Sequence, residues 1–106
     1  MNLCGRDFGI GDIVQHFKRT MLSGEELRTD LYLYQIVAIA MHTENGEDLV
    51  IYKACYPDAN EEYRYFARPV EKFAGKIDKS KNPDCKQEYR FVVVSRPSNC
   101  KSMFRR

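Results

Sequence analysis

His16 and His42 are the chain's only imidazoles, and two imidazoles brought together could shuttle a proton or share a metal ion. Neither lies in an E-x-x-H pattern, so the simpler expectation is a ring hydrogen-bonded at the end of a strand. Arg68, followed by Glu71, is the second candidate. A guanidinium at a strand end can clamp a carboxylate or phosphate through paired N–H donors, or bind Glu71 and hold a corner. The third is a concentration of rings: Tyr32, Tyr34, Tyr52, Tyr56, Tyr63, Tyr65 and Phe66. Small β domains use such rings to dock proline-rich peptides or cationic side chains, and rings also pair across strands for stability alone. These patterns nominate Arg68, Glu71, His42, His16, Tyr52, Tyr56 and Phe66 as binding residues, and none as catalytic.

Other chemistries find no foothold. The sequence holds no G-x-x-x-x-G-K-[ST], G-x-G-x-x-G or G-x-S-x-G. Cys4, Cys55, Cys85 and Cys100 form no C-x-x-C pair, so zinc-ligand spacing is missing and no metal or cofactor is expected. The first seven residues carry no basic stretch leading into an apolar run. The cytoplasm is therefore the expected compartment, with the cysteines as free thiols. Seventeen basic and 15 acidic residues leave a net charge of +2, too balanced for a domain devoted to a nucleic-acid backbone. A peptide or protein is the expected partner. Nucleotide or nucleic-acid binding is the second reading, built on Arg68, Lys53 and His42 around one sheet face.

The elements that must position these groups follow from periodicity. A chain of 106 residues makes one domain, expected over 8–94, with 1–7 a loose leader and 95–106 a basic, mobile tail. Residues 13–18 alternate as a short strand after the Gly9-Ile10-Gly11-Asp12 turn. Ser23 with Glu26 suggests a capping box opening one or two helical turns. Residues 31–43 and 47–56 form a long hairpin folded at Glu44-Asn45-Gly46. A two-residue turn pairs Met41 with Val50 and Ile39 with Tyr52; a three-residue turn pairs Met41 with Leu49 and Ile39 with Ile51. The second keeps more branched residues together and is preferred. A one-residue shift exchanges the faces of the second strand, so the turn decides whether Tyr52 or Lys53 joins the core. Residues 61–68 give a fourth strand ended by Pro69, 70–75 a helical turn stopped by Gly75, and 88–94 a fifth strand. The pattern is mainly β: a small five-stranded SH3-like barrel with one or two short helical turns.

Several segments together resemble the small bacterial domain-of-unknown-function family sixteen fifty-three. They are Gly11-Asp12-Ile13-Val14-Gln15-His16, the H-T-E-x-G-E-x-L-V-I-Y run from His42 to Tyr52, and Phe66-Ala67-Arg68-Pro69-Val70-Glu71-Lys72-Phe73. The likeness covers roughly residues 8–91. It implies a compact, largely β domain and no particular activity. It also implies a tryptophan before the Arg-Pro pair in many members, where this chain has Phe66-Ala67.

Overall fold

The computed structural model describes residues 1–96. Five strands form one antiparallel sheet: β3 (Ile13–His16), β4 (Leu33–Met41), β5 (Asp48–Ala54), β6 (Tyr65–Pro69) and β7 (Phe91–Ser95). Their order is β6-β5-β4-β3-β7. A two-stranded hairpin, β1 (Asn2–Leu3) with β2 (Arg6–Asp7), precedes them, and one short helix, α1 (Val70–Ala74), follows β6. The five expected strands are all present. The expected barrel closure is not, because β6 and β7 stay at opposite edges of the sheet and do not pair.

The β4–β5 hairpin is the centre of the sheet, and its register matches neither expected turn. Met41 pairs with Asp48, Ala40 with Leu49, Ile39 with Val50 and Ala38 with Ile51. The register then shifts, and Ile36 pairs with Tyr52 and Tyr34 with Ala54. The loop is longer than either expectation, closed by His42 N–H to Glu47 O at 2.8 Å and Gly46 N–H to His42 O at 2.8 Å. Gly46, at φ +75°, supplies the left-handed residue that the turn requires. Near the turn odd positions face even ones; past the bulge at Val37 even positions face even ones. Each expected register thus describes the face parity of half the hairpin and the partners of neither.

One extra residue in β4 has a packing consequence. Tyr34 and Ile36 face the core before the bulge, and Ile39 packs against it afterwards. On β5 the core face carries Val50, Tyr52 and Ala54 throughout. Directly opposed residues share a face, so this inner face continues through Phe66 and Arg68 on β6, Val14 and His16 on β3, and Phe91 and Val93 on β7. Lys53, paired with Gln35 and Tyr65, lies on the other face, where its ammonium sits 5.2 Å from the Tyr65 ring centroid.

Part of the inner face is roofed by Phe73 and Ala74 of α1 and by Leu3 and Phe8. Phe73 stacks on Phe91 at 4.4 Å between ring centroids, and Phe8 meets the edge of Phe73 at 5.6 Å. Burying each of these rings contributes roughly 1.5–3 kcal/mol. Gly75 ends the helix in extended backbone rather than as a left-handed cap. A Cβ at that position would lie 2.7 Å from the Glu71 carbonyl oxygen, closer than non-bonded atoms tolerate.

Other expectations are corrected. Residues 1–7 are not a loose leader: Leu3 is only 8% exposed, and Arg6 donates to Ala74 O at 2.8 Å and Phe91 O at 2.7 Å. Sequence alone hid this because a two-residue strand has no periodicity to read. Residues Gly24–Arg28 do form one 3-10 turn, but the Ser23 side chain makes no capping bond. A second 3-10 turn, Phe17–Met21, was not expected. In the polar stretch after α1, Ile77 and Cys85 pack on Phe17 in a small satellite core. Most of the expected basic tail lies outside the described residues; Arg96 pairs with buried Asp12 at 3.4 Å and with Asp7 at 3.4 Å.

Two substitutions test this packing. Leu3→Ala should lower unfolding free energy by about 2 kcal/mol in urea denaturation, since it empties a core position. Gly75→Ala should cost about 1–2 kcal/mol through backbone displacement. An unchanged midpoint for Leu3→Ala would mean the N-terminal hairpin does not belong to the core.

Candidate binding site

α1 and the N-terminal segment leave one end of the inner face unroofed, and there the sheet presents rings and cations. Tyr52 is the pivot. Its buried ring stacks on Phe66 at 5.5 Å, meets Tyr34 edge-on at 5.4 Å, and lies 5.3 Å from Phe91. Its hydroxyl accepts a hydrogen bond from Arg68 Nε at 3.2 Å. Arg68 therefore projects over the core face at the β6 edge, held by the phenol. Phe66, two residues earlier on the same face, stays 40% exposed although it touches two core rings.

The adjoining wall comes from β3 and the residues before β4. The His16 ring stacks on Phe17 at 4.5 Å and lies 5.1 Å from Phe91 and 5.9 Å from Tyr32. Tyr32 holds φ +68°, a left-handed conformation that is costly for an aromatic residue. Its carbonyl accepts from His16 N–H at 2.9 Å, and its ring meets Tyr56 at 6.2 Å. The Tyr34 and Tyr56 hydroxyls bond to each other at 2.7 Å. Burial, then that bond, raises the Tyr34 phenol above its ordinary value, so it stays neutral.

Arg90, just before β7, completes the cluster, and no sequence pattern marked it. Its guanidinium lies 5.9 Å from the Phe17 ring centroid. It forms no ion pair among the described residues, and its buried Nε has no acceptor there. Burial and then the neighbouring Arg68 lower its proton affinity, with only the Tyr52 phenol opposing. His16 sits in the same field. Its pKa falls from 6.5 to about 4 through burial first, then the charges of Arg90, Lys18 and Arg68. No carboxylate contributes at either group. His16 Nδ1 accepts from Lys18 N–H at 3.1 Å, which leaves Nε2 as the protonated nitrogen of a neutral ring.

The nominated residues thus divide. His16, Tyr52, Tyr56, Phe66 and Arg68 gather at one end of the inner face. His42 does not join them: it flanks the hairpin turn, its Nδ1 accepting from Glu44 N–H at 3.1 Å. His16 and His42 lie at opposite ends of β4, roughly 30 Å apart at the rise of an extended strand. That separation removes the histidine pair as a proton relay or shared metal site. Both rings accept from a backbone amide two residues on, as expected of histidines at strand ends. Glu71 does not pair with Arg68; with Glu47, Asp48 and Lys72 it lines a separate surface cavity of about 390 Å³. Lys53 lies on the outer face, beside a second cavity of about 410 Å³ that includes Val37 and Tyr65. The convergence of Arg68, Lys53 and His42 anticipated for a nucleotide does not occur. Among the described residues no group of histidine, cysteine, aspartate and glutamate is arranged to hold a metal ion, and no helix is long and apolar enough to cross a membrane.

The family described as "Protein of unknown function (DUF1653)" matches residues 12–99. The chain belongs to that family. The match takes in all five strands of the main sheet and every member of the aromatic and arginine cluster. No curated protein and no solved structure matches the chain. In this family member Phe66-Ala67 precedes the Arg68-Pro69 pair, and the Phe66 ring is the exposed one of the cluster.

Because His16 binds its proton less readily folded than unfolded, the unfolded chain takes up the proton first as pH falls. Stability should therefore drop between pH 6.5 and about 4 and level off below. With the ring's partial exposure discounted, His16 should account for about 1–2 kcal/mol of that loss. His16→Gln should flatten the stability–pH curve in this window by that amount, measured by urea unfolding at successive pH values.

Proposed function

We propose that the domain is a recognition module that takes a peptide or protein segment on the unroofed end of its inner face. One juxtaposition carries the reading: an exposed ring, Phe66, beside two guanidiniums, Arg68 and Arg90, that no acidic side chain answers. Half-buried Tyr32 and Tyr56 extend the apolar surface without adding charge. A ligand would cover Phe66 with an apolar or planar part and place an anionic group against the arginine forks. The core rings beneath are already fixed by mutual packing, so little ordering would accompany binding.

A nucleotide is the second reading. The stacked Tyr52–Phe66 pair with arginines alongside resembles the way single bases are held, one face on an aromatic ring and the phosphate on guanidinium groups. A long nucleic-acid backbone suits the face less well, given a net charge of only +2.

Affinity capture from cell extract, followed by direct titration of the captured partner, tests the proposal. Phe66→Ala and Arg68→Ala should each weaken binding about tenfold or more, while Tyr65→Ala, on the opposite face, should not. A partner that is lost with Tyr65→Ala and kept by the other two variants would place the binding surface elsewhere.

A further inference from the structure

We infer that the group read by Arg68 and Arg90 is a phosphomonoester dianion carried next to a planar ring. The inference rests on the proposed binding face and specifies its ligand chemistry.

The donors are numerous and acceptors are few. Among the described residues Arg68 commits only Nε, to the Tyr52 hydroxyl, and neither of its Nη groups makes a hydrogen bond there. The Arg90 guanidinium forms no hydrogen bond among the described residues, and its orphaned Nε is sealed from solvent. A guanidinium held by packing on Phe17 without an acceptor is costly unless something negative approaches its outer edge. His16 adds an Nε2–H from a ring whose other nitrogen is already occupied. Among the described residues no carboxylate acts on His16 or Arg90, and the one side-chain acceptor that meets Arg68 is the Tyr52 hydroxyl.

Charge separates the candidate anions. His16 is neutral near pH 7, so the two arginine forks carry a charge of +2 between them, and Lys18, which also acts on His16, adds a further cation nearby. A carboxylate would answer half of the charge on the forks with two oxygens. A phosphomonoester near neutral pH carries close to two negative charges and three strong acceptor oxygens, enough for both forks and the imidazole N–H. Phe66 stands on the same strand face two residues from Arg68, placed to receive a ring attached to that phosphate.

Phenyl phosphate is the minimal probe. Titration into ¹⁵N-labelled protein at pH 7.5 and constant ionic strength should saturably shift the Arg68 and Arg90 Nε–H signals and the Phe66 amide. Benzoate, with the same ring and one charge, should bind at least about tenfold more weakly, and inorganic phosphate should fall between them. Occupation should also raise the His16 pKa, because the anion offsets the cations that depress it. Arg68→Met, at the sheet edge, and Arg90→Lys, which keeps charge but loses the fork, should each weaken phenyl phosphate about tenfold with fold-reporting amide signals unchanged. Adenosine monophosphate against adenosine, and O-phosphotyrosine against tyrosine, then distinguish a nucleotide from a phosphorylated side chain as the source.

Equal affinity for benzoate and phenyl phosphate, or binding indifferent to both arginine substitutions, overturns the inference. If phenyl phosphate fails while a captured partner still depends on Phe66 and Arg68, the phosphate assignment falls and the recognition face stands. If phenyl phosphate binds as described and no partner depends on Phe66, the reverse holds.

Discussion

The β-bulge at Val37 is the constraint on which the remaining structure depends. In a regular hairpin, one face of β4 would carry either Tyr34 and Ile36 or Ile39 and Met41, but not members of both sets. The extra residue rotates the strand so that Tyr34, Ile36 and Ile39 all serve one core; Met41, opposite Asp48 at the turn end of the same face, lies beyond that core and is exposed. On β5 no such change is needed, and Val50, Tyr52 and Ala54 alternate inward without interruption. Tyr52 therefore enters the core beside Phe73 and Phe91, and Lys53 is excluded from it. Ring packing, the position of Arg68 and the identity of the exposed face all follow from that one residue.

Core and candidate site are two ends of a single surface. At one end α1 and the N-terminal segment cover Phe91 with Phe73 and Phe8; at the other, nothing equivalent among the described residues covers Phe66, Tyr32 and Tyr56. Tyr52 joins the two, with its ring in the core and its hydroxyl on Arg68. Such sharing makes a rigid site, because its floor is held by the contacts that fold the protein. It also ties function to stability, since truncating Tyr52 would disturb both. Some cations elsewhere are answered by carboxylates: Arg96 meets Asp12 and Asp7, Arg64 meets Asp58, and Lys76 meets Glu88. Arg68 and Arg90 have no such partner among the described residues. Burial first, and then the charges of Arg90, Lys18 and Arg68, hold His16 neutral.

Strands of four or more residues with a clear alternation were legible, and so was the helical turn before Gly75. The hairpin's existence was legible from Asn45-Gly46, but its register was not, because loop length and bulge position are set by which face packs better overall. Arg68 and Phe66 stood out through the Arg-Pro pair and the density of rings. Arg90 did not, since it sits before a run of valines like any flanking charge, and its significance comes from Phe17 and Arg68, distant in sequence. Glu71 looked like a partner for Arg68 at a spacing of three. The helix begins at Val70, however, and carries Glu71 to another surface. The N-terminal hairpin was invisible for a related reason: Leu3 and Arg6 are defined by contacts more than sixty residues away.

By itself the sequence determined a mainly β domain, five strands of the sheet in their right places, and a family without a described function. These are consequences of local alternation, turn chemistry and a distinctive run of residues, all of which act within a few positions along the chain. Only the tertiary structure decided that the sheet stays open, that Tyr52 and not Lys53 is core, and that His16, Arg68 and Arg90 share one face while His42 does not. Those outcomes depend on how side chains from separate strands fill a common volume. No single segment carries that information.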